Sequence, residues 1–202
     1  IAALVDIPLF ARTTVYPDSQ LDAALVLLRF LVALPVGAVA GGWLLRRFGA
    51  GAIAGTGMLY ASLAFGCMAT WGAHSLEHWW ATLPLLLGGF GFGIALAPVN
   101  AAMLAESPQE THGLASALVV VARMVGMLVG ISALTTIGLR RLYAASEAHP
   151  DWELSRLGVV QEQAVFSGAA GVALLAAVLA VVLLRGARTR GVDLSETLRT
   201  VG

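Results

Sequence analysis

From Leu21 to Leu184 the chain returns again and again to runs of about twenty residues with almost no charge. Runs that long exceed any ordinary strand. They match the helix needed to cross a hydrocarbon layer about 30 Å thick, where lipid offers backbone groups no hydrogen-bond partner. Five full windows meet the requirement, at roughly 22–44, 50–71, 80–105, 113–138 and 163–184, and a truncated sixth covers about 1–11. The expected fold is therefore an all-α membrane protein, a polytopic helix bundle over residues 1–184. A polar cytoplasmic tail is expected over 185–202. The chain begins with Ile, and its first dozen residues read as the end of an apolar helix, so it is expected to be a fragment.

Composition removes several alternatives. With 58% hydrophobic and 12% charged residues, and a mean hydropathy of +0.84, the chain does not resemble a soluble domain. Twelve basic residues balance twelve acidic ones, which leaves no electrostatic footprint for nucleic acid. All the basic residues are Arg, so a phosphate-loop lysine and a Schiff base are both impossible. Cys67 stands alone and reads as a small apolar filler, without a disulfide or redox partner. The run Gly88-Gly89-Phe90-Gly91-Phe92-Gly93 lacks the G-x-G-x-x-G spacing and lies inside a span. His74-Ser75-Leu76-Glu77-His78 matches H-x-x-E-H, a zinc-peptidase signature when it lies on a helix. It falls in a short turn and is expected to be a solvated loop. No metal or other cofactor is expected, and the chain is not expected to be an enzyme. A membrane-embedded hydrolase built on His74, Glu77 and His78 is the rival from another class, and a non-transporting helical scaffold is a third.

The connections set an orientation. Tyr16, Pro17, Asp18 and Ser19 form a polar turn, Arg46-Arg47-Phe48-Gly49 a tight basic one, and Trp79-Trp80 resembles an interfacial belt. Ser107-Pro108-Gln109-Glu110 has the order of a helix start. If the Arg46-Arg47 turn is cytoplasmic, so are the 106–112 turn and the tail with Arg185, Arg188, Arg190 and Arg199. Arg140 and Arg141 then lie outside, in a mixed-charge connection running to about Gln161. The excess of arginine inside has the expected sign. The chain is expected in the plasma membrane of a bacterium, with the lipid bilayer as its first partner.

Charges that cannot avoid hydrocarbon mark functional positions, because each needs a counter-charge or water. Asp6, Arg29 and Arg123 qualify. Asp6 and Arg29 lie at similar depth on two helices expected to form an antiparallel hairpin, so they are candidates for a proton-titrating charge pair. Arg123 sits near mid-span and is expected to face a cavity or gate, or an acid outside this chain. Asn100 and the helix-interrupting Pro98 are the other polar features within a span. Asp6 is read as the only acid within a span. Glycines at GxxxG spacing, Gly37/Gly41, Gly51/Gly55, Gly89/Gly93 and Gly126/Gly130, predict close helix packing.

Gly42-Trp43-Leu44-Leu45-Arg46-Arg47-Phe48-Gly49 resembles the G-x-L-x-D-R-x-G turn of major facilitator superfamily transporters, with Arg46 in place of the Asp. The series Gly91-Phe92-Gly93 to Pro98, Glu110-Thr111-His112-Gly113-Leu114-Ala115-Ser116, and Arg123-Met124-Val125-Gly126 with Gly130 is similar to the fourteen-span drug:proton antiporter branch. So is Leu9 to Gly42, with Ser19-Gln20-Leu21 and Leu34-Pro35. The resemblance implies the C-terminal half of a major facilitator fold, sharing a central cavity with a missing N-terminal half. It implies proton-coupled efflux of drugs or small metabolites by alternating access, with an importer or uniporter as the alternative. In that family the third helix of each repeat faces lipid. Here those spans, 50–71 and 163–184, carry no charge.

Overall fold

The computed structural model describes residues 2–14, 19–72, 75–105 and 112–184. It is an all-α polytopic membrane bundle of six helices: α1 (Ala2–Thr14), α2 (Gln20–Leu45), α3 (Ala50–Met68), α4 (Thr82–Ala105), α5 (His112–Ala148) and α6 (Leu154–Leu183). Two single-turn 3-10 helices, Ser75–Glu77 and Trp79–Ala81, lead into α4. Five of the helices are long and apolar enough to cross a membrane. The expected tail and the Ser107–Pro108 helix start lie outside the described residues, as do Tyr16, Pro17 and Asp18.

Helix packing follows the small residues. The α2 and α4 backbones touch: a Cβ on Gly37 would run into the Phe90 carbonyl, and one on Gly89 into the Phe30 carbonyl. Gly41 and Gly93 meet Ile94 and Leu34 in the same way. Gly57 and Gly91 bring α3 against α4, while Gly51 and Gly55 abut Ala180, Val181 and Leu184 of α6. This is the contact expected where lipid removes the hydrophobic drive between helices and dispersion between bare backbones replaces it. Gly126 and Gly130 depart from the expectation. Both face open space, so their spacing packs no helix described here.

The contacts close a circuit: α1 on α2, α2 on α4, α4 on α3, α3 on α6, and α6 back on α1. A chain of aromatic rings runs around the same circuit. Phe30 of α2 lies 6.2 Å from Phe92 of α4, which lies 5.9 Å from Phe65 of α3. Phe65 is 6.4 Å from Phe166 of α6, and Phe166 is 6.2 Å from Phe10 of α1. Ring separations of that size are the favourable tilted and offset arrangements. Trp71, wholly buried, caps the chain at 5.8 Å from Phe10 and 6.1 Å from Phe166.

Helix α5 stands apart. It leans mainly on α6, and only 6% of its apolar window is buried, against 50% for α3 and for α4. It is also longer than its apolar window predicts, running 37 residues to Ala148. Likewise α6 starts at Leu154, well before residue 163. The mixed-charge connection expected over 140–161 is therefore mostly helix. Residues 139–148 contain no Gly or Pro, and helical bonding continues past the last apolar turn until Pro150 stops it.

Candidate functional site

Apart from Arg29 with Thr82 between α2 and α4, and Asn100 on α4, the candidate membrane-embedded charges fall into two regions. One lies where α1, α6 and the end of α3 meet. The other is the exposed length of α5.

Asp6 lies half-buried on α1, four residues before Phe10 and therefore on the same face. The structure does not pair it with Arg29. That guanidinium donates to Thr82 Oγ1 of α4 at 3.0 Å. Equal depth on neighbouring helices does not make two side chains face each other; Arg29 points toward α4 and Asp6 toward α6. Thr82→Val keeps the shape of the hydroxyl site and strands the Arg29 donor. A loss of about 1 kcal/mol is expected, read as a lower thermal midpoint in detergent.

A second acid in the same region is Glu162, which falls just before the span expected over 163–184. It lies inside α6, only 2% exposed, and is the sole charged residue in the buried set among those described. This corrects the expectation that Asp6 is the only acid within a span. Glu162 Oε2 is fully enclosed and has no hydrogen-bond partner, and neither has the Trp71 indole Nε1. The neighbouring Gln163 donates from Nε2 to the Trp71 carbonyl at 2.7 Å, which ties α6 to the end of α3. Ser62 Oγ, donating to the Ala170 carbonyl at 2.9 Å, ties the same helices further along. A signal for Glu162 was present in the sequence: it falls on the helical stripe of Phe166, Ala169, Ala173 and Ala177.

Arg123 is exposed on α5, among Leu118, Val121, Met124, Leu128 and other uncovered apolar side chains. Asn100 is exposed near the end of α4, whereas Pro98 is buried within that helix. In the basic turn, the Arg47 guanidinium lies 5.2 Å from the centre of the Trp43 ring, a cation–π contact, and Arg46 caps α2. Gly49 starts α3 in extended backbone with open space around it, and Gly42 touches only the Ala97 methyl. Trp79 is 79% exposed at the start of α4, where its ring is free to anchor at a headgroup layer. Of the H-x-x-E-H stretch, His74 lies outside the described residues. His78 is exposed, its ring tilted against that of Trp80 at 6.0 Å between centres.

Among the described residues, two surface cavities adjoin these helices. One of about 440 Å³ lies between α5, α6 and the end of α3, lined by Ile137, Arg141, Val160, Gln163 and Ser167. The other, of about 430 Å³, is an apolar groove between α2 and α4, lined by Val32, Val36, Leu83, Leu86, Leu87 and Phe90.

Comparison with known proteins identifies a set of mycobacterial relatives. The chain is 44% identical over 147 residues to a triacylglyceride transporter of Mycolicibacterium hassiacum, a match covering 68% of this chain and 27% of that protein. It is 41% identical over 174 residues to a triacylglyceride transporter of Mycobacteroides abscessus, covering 79% of this chain and 34% of the relative. A triacylglyceride transporter of Mycobacterium tuberculosis H37Rv is 41% identical over 148 residues, covering 68% of this chain and 28% of its own length. No family model matches the chain. These relatives correct the resemblance to drug:proton antiporters of the major facilitator superfamily, which rested on short motifs with a departure at Arg46. Over most of the chain, the likeness is instead to proteins named for moving a neutral lipid. They are transporters by name rather than enzymes, and the chain spans about a quarter to a third of their length.

Proposed function

We propose that this chain is part of the membrane domain of a bacterial plasma-membrane transporter that moves a neutral, multi-acyl lipid of the triacylglyceride kind. The observation that carries the reading is the identity of 41–44% to three transporters of that name. The geometry agrees with such a cargo. A triacylglyceride has no charge to neutralise and a large apolar surface, so an apolar groove such as that between α2 and α4 can receive an acyl chain without any polar group being desolvated.

Transport works by alternating access, with this bundle moving against the part of the protein that lies outside the chain. The uncovered face of α5 is the surface that part would cover, and Arg123 is the cavity or gating residue upon it. Asn100 and Pro98 shape the same end of α4. Arg46 and Arg47 hold the cytoplasmic turn, which Gly42 and Gly49 bracket. Coupling is to protons, with Asp6 as an acceptor. Arg29 acts on α4 rather than on that carboxyl.

The test is direct. The full-length protein is reconstituted in vesicles with a fluorescent triacylglyceride, and lipid transfer is followed with and without an imposed pH gradient. Gradient-dependent transfer above that of protein-free vesicles is expected. Transfer equal to protein-free vesicles refutes the lipid reading, and transfer indifferent to the gradient replaces proton coupling with a uniporter.

A further inference from the structure

Glu162 is, with Trp71, one of two buried side chains in the described structure that hold a polar atom without a partner. Its carboxyl is enclosed by protein rather than by lipid, and one oxygen has no partner. A carboxylate there would be an uncompensated buried charge, which costs far more than a neutral acid in the same place.

No element packed against α6 supplies the missing counter-charge. Helix α3 contributes no charged residue, and its titratable Tyr60 and Cys67 are exposed. On α5, Arg140 and Arg141 are exposed, with Arg141 lining the cavity beside Gln163. On α6 itself, Arg156 is occupied over the Trp152 ring, 4.5 Å from its centre. On α1, Arg12 is exposed, and the half-buried Asp6 is another acid.

We propose that Glu162 is a proton-binding site of this bundle, carried as the neutral acid in this conformation. A carboxyl in so dry a place ionises only at a large cost, so it keeps its proton until the site opens to water. When that proton leaves to water, α6 gains one negative charge, and no other reactant is needed. The Trp71 indole N–H is a second, independent mark of the site. It is a buried donor without an acceptor, held between Phe10 and Phe166, which lie one turn from Asp6 and Glu162 respectively. It is available to a carboxylate at Glu162 once the proton has left. A cation site is disfavoured because a metal ion needs several oxygens, and among the described residues no three acids or other ligands gather.

The proposal deepens the transporter reading by placing a proton on a helix to which nothing else assigns one, and its test requires no transport. Infrared difference spectra of the full-length protein in detergent are recorded as the pH is raised. Wild type is expected to lose a protonated-carboxyl C=O band that is absent from Glu162→Gln and retained in Asp6→Asn. A band unchanged in Glu162→Gln overturns the assignment. A band removed by sodium ions at constant pH overturns it in favour of a cation site. Because Glu162→Gln is nearly isosteric and neutral, it is expected to fold; Glu162→Asp, which keeps the acid, should retain a displaced band. Loss of lipid transfer with the band intact would defeat the transporter reading alone.

Discussion

Gly89→Ala is expected to unlock α2 from α4 and to produce the largest loss of stability of any single methyl group added to this bundle. The new Cβ would meet the Phe30 carbonyl, which is main chain and cannot rotate aside, and the Ala33 methyl stands close behind it. Overpacking a filled core costs about 1–3 kcal/mol when side chains can yield. Here the two helices must separate instead, so a cost at or above about 3 kcal/mol is expected. Gly37→Ala should behave alike, since the Phe90 carbonyl blocks it from the opposite helix. The thermal midpoint of the detergent-purified full-length protein measures the effect. Gly126→Ala is the control: with open space at its Cβ, it should change stability by no more than about 0.5 kcal/mol. Equal midpoints for Gly89→Ala and Gly126→Ala would show that the α2–α4 contact does not hold the fold.

Arg123→Ala is expected to leave the packing of this bundle intact and to remove most of the transport. Arg123 is exposed on the least covered helix, so its truncation opens no hole within the bundle. Its cost lies in function. A guanidinium in the middle of an apolar helix is tolerated when it faces water or a counter-charge, and removing one partner of a desolvated pair costs about 2–5 kcal/mol. At 1.4 kcal/mol per factor of ten, lipid transfer in vesicles should fall about 30-fold or more. Arg123→Lys keeps the charge and loses the planar fork, and should fall less. Wild-type transfer by Arg123→Ala would remove this residue from the mechanism.

The spans were legible because bilayer thickness demands a length, and length with low charge can be counted along a chain. The glycine contacts of α2 and α4 were legible for a similar reason, since spacing fixes which residues share a helix face. Direction around the helix was not. Depth placed Asp6 level with Arg29, but only packing decides that Arg29 turns to Thr82 and Asp6 to α6. Glu162 was hidden by a boundary drawn where hydropathy falls. The helix continues on hydrogen bonds alone, carrying an acid into a buried stripe. Gly126 and Gly130 carry the same GxxxG spacing as the packed pairs, yet nothing in the sequence distinguishes a glycine that meets a neighbour from one that meets none. The short motifs misdirected the family because a basic turn between two apolar helices is cheap to form. Identity over most of the chain weighs more than a match at a few positions.

Backbones that touch along several turns cannot slide or roll past each other without first coming apart. Helices α2 and α4 therefore behave as one strut, and the glycines of α3 fasten α4 on one side and α6 on the other. Whatever swings during a working cycle must pivot where the joints are loose. Among the described helices the least covered joint is α5, attached along one edge, so under the alternating access proposed above the helix that carries Arg123 is the expected lever against the rest of the protein.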